Sequence, residues 1–511
     1  MTNPSKPKQI VKGDTLLEKV INLCQRRALI FANSELYGGM TGFFDYGPAG
    51  IELKRNIEQS WWKNFVQDRA DLVGIDGASI THPKVWKASG HVDAFNDPLV
   101  DCKKCNSRYR ADHLVEDELK ITVDGLSLEK VQNLIAKHKL TCPKCKGELT
   151  PARVFNLMFK THAGPLQDES SATYLRPETA QLIFADFKIV QAASRKQLPF
   201  GIAQIGRAFR NEIAPRGFVF RCREFSQMEI EFFIHPKKLD NCPILTDELL
   251  NIETHVYTTK AQEEKKDHEK MTIGKALEKG LVQTKWHAYW IAESLRWFYS
   301  LGIKRENLRV RQHVETELSH YSNETWDVEY KYPWGWKELQ GIANRTDFDL
   351  KQHEKHSGKD QSYFDAQTNE KIVPFVIEPS TGVERTFLTV LLDAFNENKS
   401  EKGSAIVLKL NPKLAPYKAA VFPLMKKEPL AQKAKEVFEI LRKDFACDYD
   451  ETGSIGKRYA RHDEIGTPYC ITIDFDSLEK NDATIRDRNS GKQERVKISE
   501  IKETLRKKLE G

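Results

Sequence analysis

The densest chemistry in this sequence lies in FGIAQIGRAFRNEIAPRGFVFRCREFSQMEIEFF, Phe200 to Phe233. Its centre, IAPRG, is a turn signal, and both flanks are apolar-rich, which predicts two strands over 199–212 and 218–233. Side chains alternate faces along a strand. Gln204, Gly206, Ala208, Arg210 and Glu212 therefore share one face, and Arg221, Arg223, Phe225, Gln227, Glu229 and Glu231 share another. If the two faces coincide, three arginines, an aromatic ring and several carboxylates meet on one surface. Charges must be paired or solvated, so such a surface is costly against an apolar core. It suits a polyanion that carries an aromatic base: arginines clamp phosphates bidentately, the ring stacks, and the carboxylates take cations. The plain alternative is an exposed hairpin laced with surface ion pairs.

A second cluster is made of cysteines. Cys102 and Cys105 in CKKC, with Cys142 and Cys145 in CPKC, have the paired spacing of a four-cysteine zinc ribbon. Four thiolates leave no open position for water, so a zinc ion there would be structural. The alternative is four reduced thiols without metal. Cys24, Cys222, Cys242, Cys447 and Cys470 are scattered, and read as buried and reduced.

Around these clusters, helical spacing predicts an amphipathic helix from Thr15 to Phe31 and a second one after the glycine-rich YGGMTGFFDYGPAG, with Ile51, Ile57, Trp61, Trp62 and Phe65 on its apolar face. The cysteine pairs bracket a helical segment, SLEKVQNLIAKHK. Residues 236–305 read as a charged, helical insertion, with TKWHAYWIAESLRWFYSLG as a half-buried helix. Strand character returns between Leu308 and Ile342, and a core helix follows Gly382. After Asn411-Pro412, the segments AAVFPL, a helix through Phe438 and Leu441, and YCITIDF alternate as strand, helix, strand.

The fold class expected is α+β: an antiparallel sheet flanked by helices, followed by a C-terminal α/β domain. The boundaries expected are 1–99, 153–235 and 306–410 for one discontinuous core, 100–152 for the cysteine insertion, 236–305 for the helical insertion and 411–511 for the last domain. The length of 511 residues suits several domains of about 150 residues each. With 40% hydrophobic and 30% charged residues, the chain is not a disordered one. A net charge of +6 from 79 basic and 73 acidic residues excludes a polycation but permits local contact with phosphates. No apolar run approaches the ~20 residues of a membrane span, and MTNPSKPKQIVKGDT has no signal core, which points to a soluble, cytoplasmic protein with no membrane partner. Neither a GxxxxGK[ST] loop nor a HIGH-like signature occurs.

Arg210-Asn211-Glu212 and the strand that follows it resemble motif 2 of the class II aminoacyl-tRNA synthetases, and the whole run is similar to their glycine-specific, homodimeric branch. FDYGPAGIELKRNI, with Pro48, resembles motif 1, which that family uses at its dimer interface. GVERTFLTVLLDAF resembles motif 3, a glycine-led helix presenting Arg385. The three occur in order, and the resemblance spans nearly all of the chain beyond the first dozen residues.

The resemblance implies ATP-dependent activation of glycine to glycyl-adenylate and its transfer to tRNA(Gly). It implies catalytic roles for Arg210, Glu212 and Arg385. ATP contacts would extend through Asn211, Phe220, Arg221, Cys222, Arg223, Glu224 and Phe225, through Glu338 and Leu339, and through Gly382, Val383 and Glu384. Glu338 would also meet Mg2+. Glycine would be read by Arg110, Glu178, Phe225, Ser226, Gln227, Met228 and Glu229, and by Glu378, Pro379, Ser380, Thr381 and Gly382. Glycine has no side chain to grip, so carboxylates must read its ammonium and fill the space of a β-carbon. Because every other amino acid is larger, exclusion by volume needs no editing domain. The last hundred residues resemble an anticodon-binding domain, with Lys457, Arg458, Tyr459, Arg461 and His462 in the recognisable part, and Ala343 to Leu350 would help place the tRNA acceptor end. The competing readings are an adenylating paralogue that has lost tRNA and a non-catalytic nucleic-acid-binding protein of the same fold.

Overall fold

Strand pairing sets the architecture. The computed structural model describes residues 15–510 except 122, 124, 125, 320, 367, 401 and 402; the polar N-terminal segment before Thr15 lies outside the described residues. Thr15 and Glu18 form a reciprocal capping box that starts a helix at Leu16. That helix ends at Arg26, short of the expected Phe31, because Ala28 takes a φ of 45° and Ile30–Ala32 pairs with Phe44–Tyr46 as a strand. Helix α1, Pro48–Trp62, begins with proline at its first turn, where a missing N–H costs nothing. It crosses the preceding chain at Gly50, where a Cβ would stand 1.6 Å from the carbonyl oxygen of Leu29. Only glycine permits that approach.

The central sheet has nine strands. In chain order they are β1 (Leu72–Ile75), β2 (Phe200–Phe209), β3 (Glu224–Ile234), β4 (Glu253–Tyr257), β5 (Glu269–Thr272), β6 (Leu308–Gln312), β7 (Glu324–Tyr332), β8 (Gly335–Thr346) and β9 (Phe375–Gly382). Their spatial order is β5-β4-β6-β7-β8-β9-β3-β2-β1. Pairing is antiparallel except for β1 with β2 and β4 with β6. Helix α2, Ala180–Ser194, packs its Ile183, Phe184 and Phe187 beneath β2 and β3. Helix α3, Lys285–Ser300, buries Trp286, Trp290 and Trp297 in the main core, and is far more enclosed than a half-buried helix. Helix α4, Phe348–Ser357, follows β8, and α5, Val383–Ala394, follows β9.

Two expectations about this sheet need correction. Residues 236–305 are not a helical insertion alone, since β4 and β5 come from them and extend the sheet through the parallel β4–β6 pair. The charged sequence hides a short alternation in which Thr254, Val256 and Met271 are buried. The β2–β3 connection is also much longer than the tight turn expected. After one further bond from Arg210 N to Arg223 O, Asn211 N donates to Leu157 O and the chain leaves the sheet, returning through a 3-10 turn at Phe218–Phe220.

The cysteine-bearing segment forms its own three-stranded sheet, from Asn96–Asp101, Arg108–Arg110 and Arg153–Asn156, with a small core of Val100, Leu114, Val115, Val131 and Ile135. The C-terminal part is a five-stranded sheet that includes the expected strands Ala419–Pro423 and Tyr469–Ile473 and the expected helix, Leu430–Leu441. Among the described residues no helix is long and apolar enough to cross a membrane.

Candidate active site

Register brings the expected surface together. Gln204, Gly206 and Ala208 on β2 stand opposite Glu229, Gln227 and Phe225 on β3, and β9 adds Ser380 beside Glu229 and Gly382 beside Gln227. On β8, Gly341 and Ala343 sit opposite Ser380 and Glu378, and these small residues leave the sheet surface open as a cleft. Gly206 has a separate role: a Cβ there would lie 2.2 Å from the Arg176 guanidinium, which passes beneath it to bond Arg207 O and Gly77 O at 2.6 Å each.

One end of the cleft is cationic. Arg210 donates from Nε to Pro177 O at 3.0 Å, and its guanidinium lies between the rings of Phe95 and Phe225, 5.5 and 5.3 Å from their centroids. Arg385, in the first turn of α5, pairs with Glu338 at 2.8 Å and covers the ring of Phe220 at 4.8 Å. Arg221 is the least satisfied of the three. Its NH1 and Glu212 Oε2 are buried and have no hydrogen-bond partner, and they stand 3.9 Å apart. A buried donor of full charge without an acceptor is expensive, so this end is built to receive acceptor oxygens. His313, Ser319, Tyr321, Thr325 and Asp327 also line the cleft and carry no motif signal in the sequence. Burial opposes charge on His313, yet the Asp327 carboxylate 2.8 Å away lifts its pKa above the ordinary histidine value.

The other end is acidic. Glu178 accepts from Gln181 Nε2 at 3.1 Å and meets His91 Nε2 at 3.3 Å. Burial works to raise its pKa, but His91 and Arg345 outweigh it and hold this carboxyl below its usual range. Glu229 accepts from Thr179 Oγ1, and burial with the Glu178 charge raises its pKa. Glu378 accepts from Arg345 at 2.6 Å; burial, reinforced by Glu229 and Glu178 against that arginine, pushes it up to about 8. Arg345 is 1% exposed, lies over the ring of Tyr321 at 3.9 Å and is gripped through two bonds by Asp349 at 2.7 and 2.8 Å. Arg345 and Asp349 belong to the stretch that the resemblance sets near the tRNA acceptor end. Their side chains lie beneath the acidic cage, because β8 runs to Thr346 and α4 then turns Asp349 back under it.

Several expected contacts do not point into the cleft. Ser226 and Met228 alternate with Gln227 and Glu229 and are buried on the opposite face. Glu384 does border the cleft, but its oxygens are occupied by Ser226 N at 2.7 Å, Lys54 Nζ at 3.3 Å and Tyr46 OH at 3.1 Å, which tie α1, β3 and α5 together. Leu339 and Val383 are core residues, and Pro379 is buried between strands. Asn211 is held by its backbone bond to Leu157; Arg223 donates to Glu212 O and Thr41 O at 3.0 Å each; Glu224 pairs with Arg207 on the outer face. Arg110 is engaged by Asp97 at 3.0 Å and Asp112 at 2.5 Å. Phe220, Cys222, Phe225, Gln227, Ser380, Thr381 and Gly382 do line the cleft.

Away from the cleft, the Sγ atoms of Cys102, Cys105, Cys142 and Cys145 all lie within 4.8 Å of one another, with Cys102–Cys145 at 3.5 Å and Cys105–Cys142 at 3.7 Å. Four sulfurs about 2.3 Å from a tetrahedral zinc would stand about 3.8 Å apart, so the donor set fits. In the C-terminal part the expected RNA-facing set is mostly structural. Helix Ile455–Ile465 buries Arg458, which donates to Pro423 O and Gly453 O, and buries His462 against Thr467; Arg461 pairs with Asp450, and Tyr459 bonds Thr472. Of the five, Lys457 is the exposed one.

Comparison with known proteins agrees with this geometry. The description "tRNA synthetase class II core domain (G, H, P, S and T)" matches residues 159–395, and "Anticodon binding domain" matches residues 418–508. A glycine–tRNA ligase of Bacillus thuringiensis subsp. konkukian (strain 97-27) is 49% identical over 500 residues, covering 97% of this chain and 99% of the relative. One from Alkaliphilus oremlandii (strain OhILAs) is 48% identical over 500 residues, with 96% and 98% covered. One from Clostridium acetobutylicum is 49% identical over 507 residues, with 98% and 100% covered. An acidic cage and a cationic wall share one antiparallel sheet, and the likeness to these relatives runs almost from end to end: the chain belongs to the glycine–tRNA ligase family of class II aminoacyl-tRNA synthetases.

Proposed function

We propose that the protein ligates glycine to tRNA(Gly) in two steps on the surface of β2, β3, β8 and β9. The observation that carries this reading is the opposition, within one cleft, of Arg210, Arg221 and Arg385 to Glu178, Glu229 and Glu378. Glycine's ammonium enters the acidic end, and its carboxylate faces the α-phosphate of ATP held at the cationic end. A carboxylate oxygen attacks the α-phosphorus, the bond to the bridging oxygen breaks, and pyrophosphate leaves with that electron pair. The protein supplies no nucleophile. Its contribution is to hold two anions together and to meet the charge that develops between them. The terminal ribose hydroxyl of the tRNA then attacks the glycyl carbonyl and releases AMP.

Arg210 faces the α-phosphate, Arg385 the terminal phosphate, and Phe225 the adenine. Glu338, 49% exposed at the rim, has one oxygen engaged by Arg385 and fits a Mg2+ ion delivered with ATP, which typically meets one or two carboxylates besides phosphate oxygens. The segments we infer are a catalytic core of 1–99, 153–235 and 306–410 joined by the sheet strands of 236–305, a metal-binding unit of 100–152 and a tRNA-binding unit of 411–511, in the cytoplasm. Glycine-dependent exchange of pyrophosphate into ATP tests the first step, and charging of tRNA the second. Exchange without charging would favour a tRNA-free paralogue, and neither activity would favour a non-catalytic binding protein.

The Glu378 shift gives a pH dependence. An acid raised to about 8 binds a cation poorly while protonated, so the KM for glycine should fall as pH rises from 6 to about 8 and then level off. Glu378→Gln should flatten that slope; a slope unchanged in the variant rules the assignment out. The four-cysteine site should bring close to one zinc per chain through purification. Cys102→Ser with Cys142→Ser should lose it and lower the melting temperature of the insertion, and a metal-free wild-type protein would contradict the site. We also infer a homodimer through the motif 1 region, where Leu36, Tyr37 and Met40 are exposed apolar residues ahead of Pro48. Sedimentation at twice the chain mass is the expected result, and a monomer at micromolar concentration is the opposing one.

A further inference from the structure

Glu231 is buried deeper than any acid in the cage and has no assigned role. It is two residues along β3 from Glu229, on the same face, and it is 0% exposed. Neither of its carboxylate oxygens has a hydrogen-bond partner. Oxygens of Glu229, Glu231 and Glu378 lie within 4.8 Å of one another. The charged groups that face it are Glu378, Arg345, Glu229 and Asp349. Of these, Arg345 is the cation, and it is already spent on two bonds to Asp349 and one to Glu378. An ionised Glu231 would thus be a bare charge beside two other carboxylates, sealed from solvent and with no protein donor to stabilise it, an arrangement proteins avoid by neutralising the group.

We propose that Glu231 is a positioning residue that remains a neutral carboxylic acid beneath the glycine pocket and turns its hydroxyl toward the Glu229–Glu378 pair. The inference rests on the glycine-activating reading of the same cleft. Its consequence is a division of labour. Glu378, with Arg345 against it, ionises first and meets the substrate ammonium, whereas Glu231, whose burial raises its pKa well beyond the ordinary carboxyl value, keeps its proton. The O–H of Glu231 fixes the two upper carboxylates at a spacing suited to one ammonium and prevents a third charge from pushing them apart. A neutral acid retained as a hydrogen-bond donor in an apolar site is an established device of enzyme sites.

Infrared difference spectra of wild type against Glu231→Gln test the protonation directly, without substrate. The expected result is a deuterium-sensitive protonated-carboxyl band present in the wild type at pH 9, above the titration of Glu378, and lost in the variant. The KM for glycine in pyrophosphate exchange tests the positioning. Glu231→Leu, which has no donor, should raise it about tenfold with a smaller change in kcat. Glu231→Gln, which keeps a donor on the same stem, should recover most of that loss. The proposal is overturned if the band is missing or survives in Glu231→Gln, or if Gln is as impaired as Leu. It is equally overturned if the dialysed protein holds a metal beyond the cysteine site that Glu231→Gln releases, since a cation would then do the work of the proton. If Glu231→Leu fails to fold, the comparison of wild type with Gln still decides. Absence of glycine-dependent exchange in the wild type would remove the glycine reading while leaving the infrared result standing, so the two failures are distinguishable.

Discussion

Arg210→Ala should lower the kcat of glycine-dependent pyrophosphate exchange by roughly 10²–10³, the usual cost of removing one preorganised group that meets charge developing in a transition state. The loss should fall mainly on kcat, with the KM values for ATP and glycine changing less, because Arg221 and Arg385 still hold the nucleotide. Folding should survive. Arg210 follows the last residue of β2, and its Nε makes one side-chain bond, to the carbonyl of Pro177. Its contacts with the rings of Phe95 and Phe225 keep the guanidinium over the cleft. Arg210→Lys should rescue little, since a lysine ammonium neither stacks in this way nor offers two parallel donors. Exchange at the wild-type rate in the alanine variant would remove Arg210 from the mechanism.

The largest loss of stability should come from Arg345→Met. This guanidinium is 1% exposed, and Asp349, Glu378 and the ring of Tyr321 close around it. Removing one partner from a buried ion-pair network leaves uncompensated charge, which typically costs about 3–5 kcal/mol. Two carboxylates are stranded here, so the variant should unfold at lower temperature and bind glycine poorly even when folded. The triple variant Arg345→Met, Asp349→Asn, Glu378→Gln should be more stable than the single one, because it removes the stranded charges as well. A single variant that melts with the wild type would contradict the network.

How much of this was legible in the sequence depended on whether a local period carried the information. The cleft face was readable because strand alternation from Gln204 to Ala208 and from Phe225 to Glu229 needs no tertiary knowledge, and the register pairs those residues as alternation demands. Alternation likewise separates Gln227 and Glu229 from Ser226 and Met228, so strand period alone places the latter two away from the cleft, against what the resemblance implies. The place of Arg345 under the acidic cage is not legible, because its partner Asp349 is four residues on, across a strand end and a helix start that no single period spans. His313, just past the end of β6, and Asp327 on β7 are brought together by a strand pairing that no sequence period reveals. Strands β4 and β5 were masked by charges on their solvent side. In the C-terminal helix, Arg458 and His462 are four apart and share the buried stripe, while Lys457 and Arg461 share a wetter one. That spacing is visible in the sequence, although the resemblance sets the whole group toward RNA.

If one cleft holds both ends of a glycyl-adenylate, a crystal structure with a non-hydrolysable sulfamoyl analogue of that intermediate will show it. The expected complex has the ammonium within hydrogen-bonding distance of at least two among Glu178, Glu229 and Glu378, the sulfamoyl oxygens against Arg210, and the adenine on Phe225. An analogue bound elsewhere, or bound with its amine pointing away from the three glutamates, would contradict it.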